Sequence, residues 1–124
     1  NRVALLQGGD ENSKQLLPAR NYILSHISEP VTTAALARAL GRNRTYLCTL
    51  FLEKTGMTVN QYVTAVKIDE ARRLLEVTGK TAAEISEYLG FSSQSYFQNV
   101  FRKVCGMTPK AYRERRVSRG TGIV

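Results

Sequence analysis

Two short stretches of this 124-residue chain carry polar side chains at the caps, first turns and outward positions of expected helices, and these are its best candidates for chemistry. Hydroxyl, amide and guanidinium groups in such a pattern can hydrogen-bond to the base edges and phosphate oxygens of a nucleic acid. The candidates are Asn43, Arg44, Thr45, Cys48 and Thr49 in the first stretch and Ser93, Gln94, Ser95, Gln98, Asn99 and Arg102 in the second. The alternative for each of them is a side chain that simply faces solvent.

The charge of the chain favours an anionic partner. Eighteen Lys and Arg against ten Asp and Glu give a formal net charge of +8, and the sequence pI is about 9.9. Nucleic acid is the commonest partner of such a balance. A basic surface without any partner would carry the same charge, so composition alone does not decide between them.

Catalysis, metal binding and membrane insertion find little support. The single histidine, His26, lies in a helical stretch where a packed side chain is the usual role, and the common phosphate-loop, zinc-protease and serine-hydrolase motifs are missing. Cys48 and Cys105 are too few for a zinc site or a disulfide framework. The apolar runs are far shorter than the roughly 20 residues that a membrane span needs. We therefore expect a cytoplasmic protein that is not an enzyme, with reduced thiols, no metal and no cofactor.

Apolar spacing and turn residues predict an all-α fold of about seven helices. The first helix is expected from about Gln15 to Ser28, with Pro18 near its start because proline fits only the first turn. Capping boxes at 58–61 and 81–84 begin two later helices. The second helix of each half is expected to bury an apolar stripe. The stripe consists of Leu47, Leu50 and Phe51 in the first half and of Phe97, Val100, Phe101 and Val104 in the second.

An internal repeat is the strongest signal in the sequence. Residues 40–62 resemble residues 89–112, with matched aromatics such as Phe51 and Phe101 lying 50 positions apart. Each copy has the pattern of a short helix, a tight turn and a second helix, which is a helix-turn-helix unit. A repeated helical hairpin used only for packing would look similar, but the polar outer face and basic charge favour DNA binding.

The second helix of each copy leaves one face free. With the apolar stripe turned inward, the outward positions of the first copy are Thr45, Thr49 and Leu52, flanked by Cys48. The corresponding positions of the second copy are Ser95, Asn99 and Arg102, flanked by Gln98.

The long helix between the copies has two apolar faces. Residues 59–66 place theirs well over 90° from that of residues 68–75, so each half can pack on a different unit. Its 19 residues span roughly 28 Å, close to the roughly 34 Å of one DNA turn. A stiff helix of this length predicts a monomer that reads two half-sites in successive major-groove turns.

Residues 14–115 resemble the AraC-type transcription regulators of bacteria. The motifs that carry the resemblance are Gly90-Phe91, Tyr96-Phe97, Phe101-Arg102-Lys103, Gly106, Thr108-Pro109 and Tyr112-Arg113. The resemblance implies two helix-turn-helix units that bind double-stranded DNA and regulate transcription, usually as an activator. It implies base contacts by Thr45, Cys48, Thr49, Gln94, Ser95, Gln98 and Asn99. Asn99 stands where arginine is common and Asn43 where serine is usual, which leaves the preferred DNA sequence open.

The chain divides into three segments. Residues 1–13 are expected to be a linker or N-terminal leader, and 14–116 a tandem helix-turn-helix domain with unit one at about 14–57, the linker helix at about 58–77 and unit two at about 80–116. Residues 117–124 are expected to be a basic flexible tail. The cluster of Arg113, Arg115, Arg116 and Arg119 is interpreted as either a phosphate-binding segment or a disordered one.

Two further expectations concern partners. The non-Met start favours a fragment of a regulator whose N-terminal domain binds an effector or dimerises. A helical adaptor for an acidic protein such as RNA polymerase stays open as an alternative to a DNA reader. A DNA-repair enzyme with this kind of domain would need a multi-cysteine zinc site, which two isolated cysteines do not supply.

Overall fold

The structure, a computed structural model, describes the backbone of residues 11–115 and the side chains from Leu16 onward. Within this range every regular element is helical, which confirms the predicted all-α class. The helices are α1 (Glu11–Ser25), α2 (Thr33–Leu40), α3 (Arg44–Thr55), α4 (Val59–Val77), α5 (Ala82–Tyr88), α6 (Gln94–Cys105) and α7 (109–115, up to the last described residue). The chain forms two compact units, and the division between them falls between Lys67 and Ile68 inside α4.

The core of unit one is built by α1, α2, α3 and the first half of α4. Ile23, Leu36 and Phe51 are fully buried there. The ring of Phe51 packs edge-on against the ring of Tyr62, with centroids 4.9 Å apart. The buried Lys67 donates from Nζ to the carbonyl oxygen of Glu29 over 2.9 Å, and its burial lowers the pKa of this ammonium group.

The core of unit two is built by the second half of α4 with α5, α6 and α7. Ile85, Leu89, Phe97 and Phe101 are fully buried. Aromatic rings continue the packing towards α7, since the Phe101 ring lies 5.7 Å from that of Tyr112 in an edge-on arrangement.

The two apolar faces predicted for α4 are confirmed by burial. The buried residues of its first half are Val59, Tyr62, Val63 and Val66, and those of its second half are Ile68, Ala71, Leu74 and Leu75. Each set contributes to the core of its own unit. Among residues 11–115, no helix combines the length and the apolar character that crossing a bilayer requires.

The predicted helix boundaries hold wherever they rest on a cap. The backbone N–H of Thr58 donates to the side-chain oxygen of Gln61 over 3.0 Å, and the backbone N–H of Gln61 donates to the Thr58 hydroxyl over 3.1 Å. This reciprocal pair is a capping box. Thr81 and Glu84 form the second one. Gly56 closes α3 with a left-handed φ of 73°, a conformation that glycine adopts without a Cβ penalty.

The first helix differs from its prediction. It begins at Glu11 and ends at Ser25, so Pro18 lies inside it and residues 11–13 are helical rather than linker. Pro18 is exposed, while Leu16 and Ala19 on either side of it are buried. The apolar contacts of α1 therefore outweigh the one backbone hydrogen bond that a proline removes. The rest of the predicted linker, 1–10, and the predicted tail, 117–124, lie outside the described residues.

One predicted core residue is exposed. Val104 belongs to the apolar stripe of α6, but 43% of its surface is accessible, whereas Phe97 and Phe101 earlier in that stripe are fully buried. Helical periodicity gives the side of a helix that faces the core, but not how far along the helix the covering elements reach.

Candidate nucleic-acid interface

Helix α3 presents the first candidate set. The side-chain oxygen of Asn43 accepts from the backbone N–H of Tyr46 over 2.7 Å and caps the helix. Leu47 and Phe51 anchor one side of α3 in the core of unit one. The exposed residues of α3 include Arg44 in its first turn, Thr45 and Thr49 on the side away from the core, and Cys48 beside them. The structure thus leaves all four side chains accessible, with Thr45 and Thr49 directed away from the core.

Helix α6 presents the second candidate set in unit two. Ser93 caps it by accepting from the backbone N–H of Tyr96 over 3.0 Å, and the buried Ser86 hydroxyl donates to the Ser93 carbonyl over 3.3 Å. This second contact fixes the turn that leads into α6. The predicted residues Gln94, Ser95, Asn99 and Arg102 are exposed and Gln98 is half-buried.

The two capped helices differ in charge at their first turns. Arg42 and Arg44 flank the cap of α3, whereas Ser92 and Gln94 occupy the matching positions at α6. Backbone N–H groups at a helix start carry partial positive charge, which the two arginines reinforce at α3. The α3 end is therefore the more cationic of the two.

Two residues near α3 were missed as candidates. Arg42 stacks its guanidinium over the ring of Tyr46, 5.1 Å from the centroid, and Tyr46 is 45% exposed. Its repeat partner Tyr96 is also exposed. The repeat marks both tyrosines in the sequence, but a repeat position by itself does not distinguish an exposed ring from a buried one.

Arg113 has a different role from the predicted one. Its Nε donates to the carbonyl oxygen of Leu75 over 3.1 Å and its Nη2 to that of Thr78 over 3.0 Å. It therefore caps the end of α4 instead of standing free for phosphate. Arg115 is exposed, while Arg116 and Arg119 lie outside the described residues.

Tyr112 adds a second tie between α7 and α4. Its hydroxyl donates a short hydrogen bond to a carboxylate oxygen of Glu76, and the guanidinium of Arg72 lies over its ring at 5.8 Å. Burial raises the pKa of this phenol, and the hydrogen bond to Glu76 raises it further. Tyr112 therefore stays a neutral donor at physiological pH.

The two cysteines lie in different environments. Cys48 is exposed on α3, and Cys105 is half-buried at the end of α6. Burial raises the pKa of the Cys105 thiol, although the nearby Arg72 partly opposes the shift.

His26 donates from Nδ1 to the Tyr22 carbonyl over 2.9 Å and stacks on the Tyr22 ring, so it is a packed side chain. In the part of the chain that the structure describes, no group of three or more His, Cys, Asp or Glu could hold a metal ion.

Comparison with known proteins places this arrangement in a family. A family model described as a helix-turn-helix domain matches residues 36–115. The xylose operon regulatory protein of Escherichia coli K12 is 34% identical over 99 residues, which is 80% of this chain and 25% of that protein. The chain spans about a quarter to two fifths of the length of the curated relatives it matches.

Solved structures agree with the sequence relatives. An AraC-type transcriptional regulator from Chromobacterium violaceum superposes with a TM-score of 0.78 at 30% identity, covering 83% of this chain and 92% of that one. The DNA-binding domain of AdpA, solved in complex with a target DNA, gives a TM-score of 0.75 at 27% identity, covering 84% of this chain and 94% of that one. The chain therefore belongs to the AraC-type family of helix-turn-helix transcriptional regulators.

Proposed function

We propose that this chain binds double-stranded DNA with sequence preference and regulates transcription, with α3 and α6 each entering a major groove. One observation carries the proposal. Each unit buries the apolar side of a capped helix and leaves the opposite side exposed, with hydroxyl, thiol, amide or guanidinium groups on it, on a chain of net charge +8. A helix fits the major groove, and phosphate attraction supplies the affinity that such a charge predicts.

Each candidate residue has a role in this proposal. In unit one Asn43 fixes the start of α3, Arg44 contacts phosphate, and Thr45, Cys48 and Thr49 face the bases. In unit two Ser93 fixes the start of α6 and Arg102 contacts phosphate. The base-facing residues of unit two are Gln94, Ser95, Gln98 and Asn99.

A single chain is proposed to occupy two half-sites. Support comes from α4, an unbroken helix of 19 residues that contributes to the cores of both units. Its length of roughly 28 Å is comparable to one turn of B-DNA, roughly 34 Å. The domain division is proposed accordingly, with α4 as the linker helix between two DNA-reading units.

Activation of transcription, a cytoplasmic location and the lack of a catalytic role belong to the same proposal. A relative of known structure is described as a xylose-binding transcription activator, and this chain is 34% identical to it while covering 27% of its length. The effector-binding or dimerisation domain implied by the family resemblance stays a prediction. The comparisons do not favour the alternative of a helical adaptor for an acidic protein.

Footprinting on DNA selected from a random pool tests the proposal. We expect two protected major-groove patches on one face of the duplex, about one helical turn apart. Inserting half a turn between the patches should abolish tight binding, because the second patch then faces the opposite side. Inserting a full turn serves as the length control. Binding that survives the half-turn insertion unchanged would contradict the linker-helix proposal.

A further inference from the structure

An exposed leucine lies on the face of α3 that is proposed to meet DNA. Leu52 is 53% exposed, although its neighbour Phe51 is fully buried. Together with Thr45, Cys48 and Thr49 it occupies positions i, i+3, i+4 and i+7 of one helix. The base-reading residues of the homeodomain recognition helix have this same spacing. Leu52 therefore continues the proposed base-facing row into a third helical turn.

The side chains of this row are small or apolar. Both threonines carry a methyl group, Cys48 carries a thiol and Leu52 is wholly apolar, so the row lacks the amide or guanidinium fork that pairs bidentately with a base. The matching positions of α6 are Ser95, Gln98, Asn99 and Arg102, all of which hydrogen-bond. The two units thus present different chemistry from equivalent helix faces.

The group in the major groove that suits an apolar row is the C5-methyl of thymine. It is the apolar group that a standard base exposes there, and alanine, the threonine methyl and phenylalanine are its usual contacts. From Thr45 to Leu52 the helix rises roughly 10 Å, which matches about three base-pair steps of 3.4 Å. A row of this length can reach methyl groups on several successive base pairs.

We infer that Leu52, with Thr45 and Thr49, reads thymine C5-methyl groups in the half-site under unit one, and that Leu52 is a specificity-determining residue. The inference rests on the proposed function and deepens it, because it names the group that α3 recognises. A leucine at this place gains nothing from a phosphate, since it has neither charge nor a hydrogen-bond donor. Its gain on DNA comes from removing apolar surface from water.

The test removes only the methyl groups. The preferred duplex is prepared with thymidine replaced by deoxyuridine in one half-site at a time. This exchange removes the C5-methyl group and preserves base pairing and the O4 acceptor. The half-site that loses base discrimination in Asn99→Ala belongs to unit two, so the other belongs to unit one. We expect each methyl removed from the unit-one half-site to weaken binding by about fourfold, and removal from the unit-two half-site to leave the affinity essentially unchanged.

The second part of the test combines the Leu52→Ala variant with the same two duplexes. The variant should bind the thymine duplex roughly three- to tenfold more weakly than the unaltered chain, and the two proteins should bind the deoxyuridine duplex alike. Leu17→Ala is the matched control, because Leu17 is a 50% exposed leucine of the same unit on α1. It should retain the full affinity for both duplexes, and thermal unfolding of both variants should confirm that they fold.

The possible negative results distinguish a failure of the proposed function from a failure of the Leu52 inference. A chain that binds no duplex overturns the proposed function and this inference with it. Normal binding with no deoxyuridine effect, a unit-one half-site without thymine, or an equal loss in Leu52→Ala on both duplexes overturns the inference alone.

Discussion

Arg113 and Leu75 lie 38 residues apart, and the guanidinium Nε of Arg113 donates to the carbonyl oxygen of Leu75 over 3.1 Å. The last turn of α4 contains no basic residue of its own. Arg113 on α7 thus supplies the positive charge that the carbonyl end of α4 lacks. In unit two, this contact joins the end of α4 to α7, the helix that follows α6.

Replacing Arg113 should therefore reduce stability more than DNA affinity. Arg113→Ala removes two hydrogen bonds from a charged donor and should lower the free energy of unfolding by about 1.5–3 kcal/mol. Arg113→Lys should recover only part of the loss, because lysine lacks the planar fork that reaches two carbonyls. Urea unfolding measures both variants, with the exposed Arg115→Ala as control. Unchanged stability with a shallower salt dependence of DNA binding would instead make Arg113 a phosphate contact.

The cap of α6 gives a second stability prediction. Ser93→Ala removes the acceptor for the Tyr96 backbone N–H and should lower the unfolding free energy by about 1 kcal/mol. Ser92→Ala changes the same side chain one residue earlier, where the residue is exposed and does not cap, and should have little effect. Thermal unfolding of both serine variants measures the two losses in stability. Equal losses in both variants would mean that the cap contributes nothing beyond ordinary surface effects.

Thiol labelling tests the orientation of α3. Cys48 is exposed, whereas Cys105 is half-buried and burial raises its pKa, so less of it is the reactive thiolate. We expect Cys48 to react first in the free protein and bound DNA to protect it. Because its pKa is raised, Cys105 should need a higher pH than an ordinary thiol to reach the same reactive fraction. Equal protection of both cysteines by DNA would contradict the proposed interface.

The sequence predicted features that join neighbouring residues better than contacts between residues far apart in the chain. The caps at Asn43, Ser93 and Thr81 each join residues three positions apart, so their partners are visible in any short window. The Arg113–Leu75 contact depends on how α7 packs on α4, and no local pattern contains that information. For the same reason Arg113 looked like one more member of a basic tail.

The candidate interface was predictable as a face but not as a set of contacts. Helical periodicity identified the outward side of α3 and α6 because it needs only the apolar stripe. It said nothing of Arg42 stacking on Tyr46, since that contact depends on the conformation of the turn before the α3 cap. Which outward residues meet bases is set by the docked DNA, and that part stays a prediction.

The sharpest base discrimination is expected from Asn99 in unit two. A side-chain amide can pair bidentately with adenine through N6 and N7. Asn99→Ala should weaken binding to the preferred duplex by about 1–3 kcal/mol and have much less effect on a duplex changed at the contacted base pair. Affinities of both proteins for the matched and the base-substituted duplex measure the difference. An equal loss on every sequence would make Asn99 a backbone contact and remove the hydrogen-bond assignment.

Arg102 is the matched contrast, one turn further along the exposed face of α6. As a proposed phosphate contact it carries no base information, so Arg102→Ala should weaken binding to every sequence by a similar factor. Losing one cationic contact should also reduce the slope of log affinity against log salt concentration by roughly one unit. Titrations of the matched and base-substituted duplexes at several salt concentrations give both quantities for both variants. If Arg102→Ala relaxes base preference while the salt slope stays the same, Arg102 contacts a base edge instead of a phosphate.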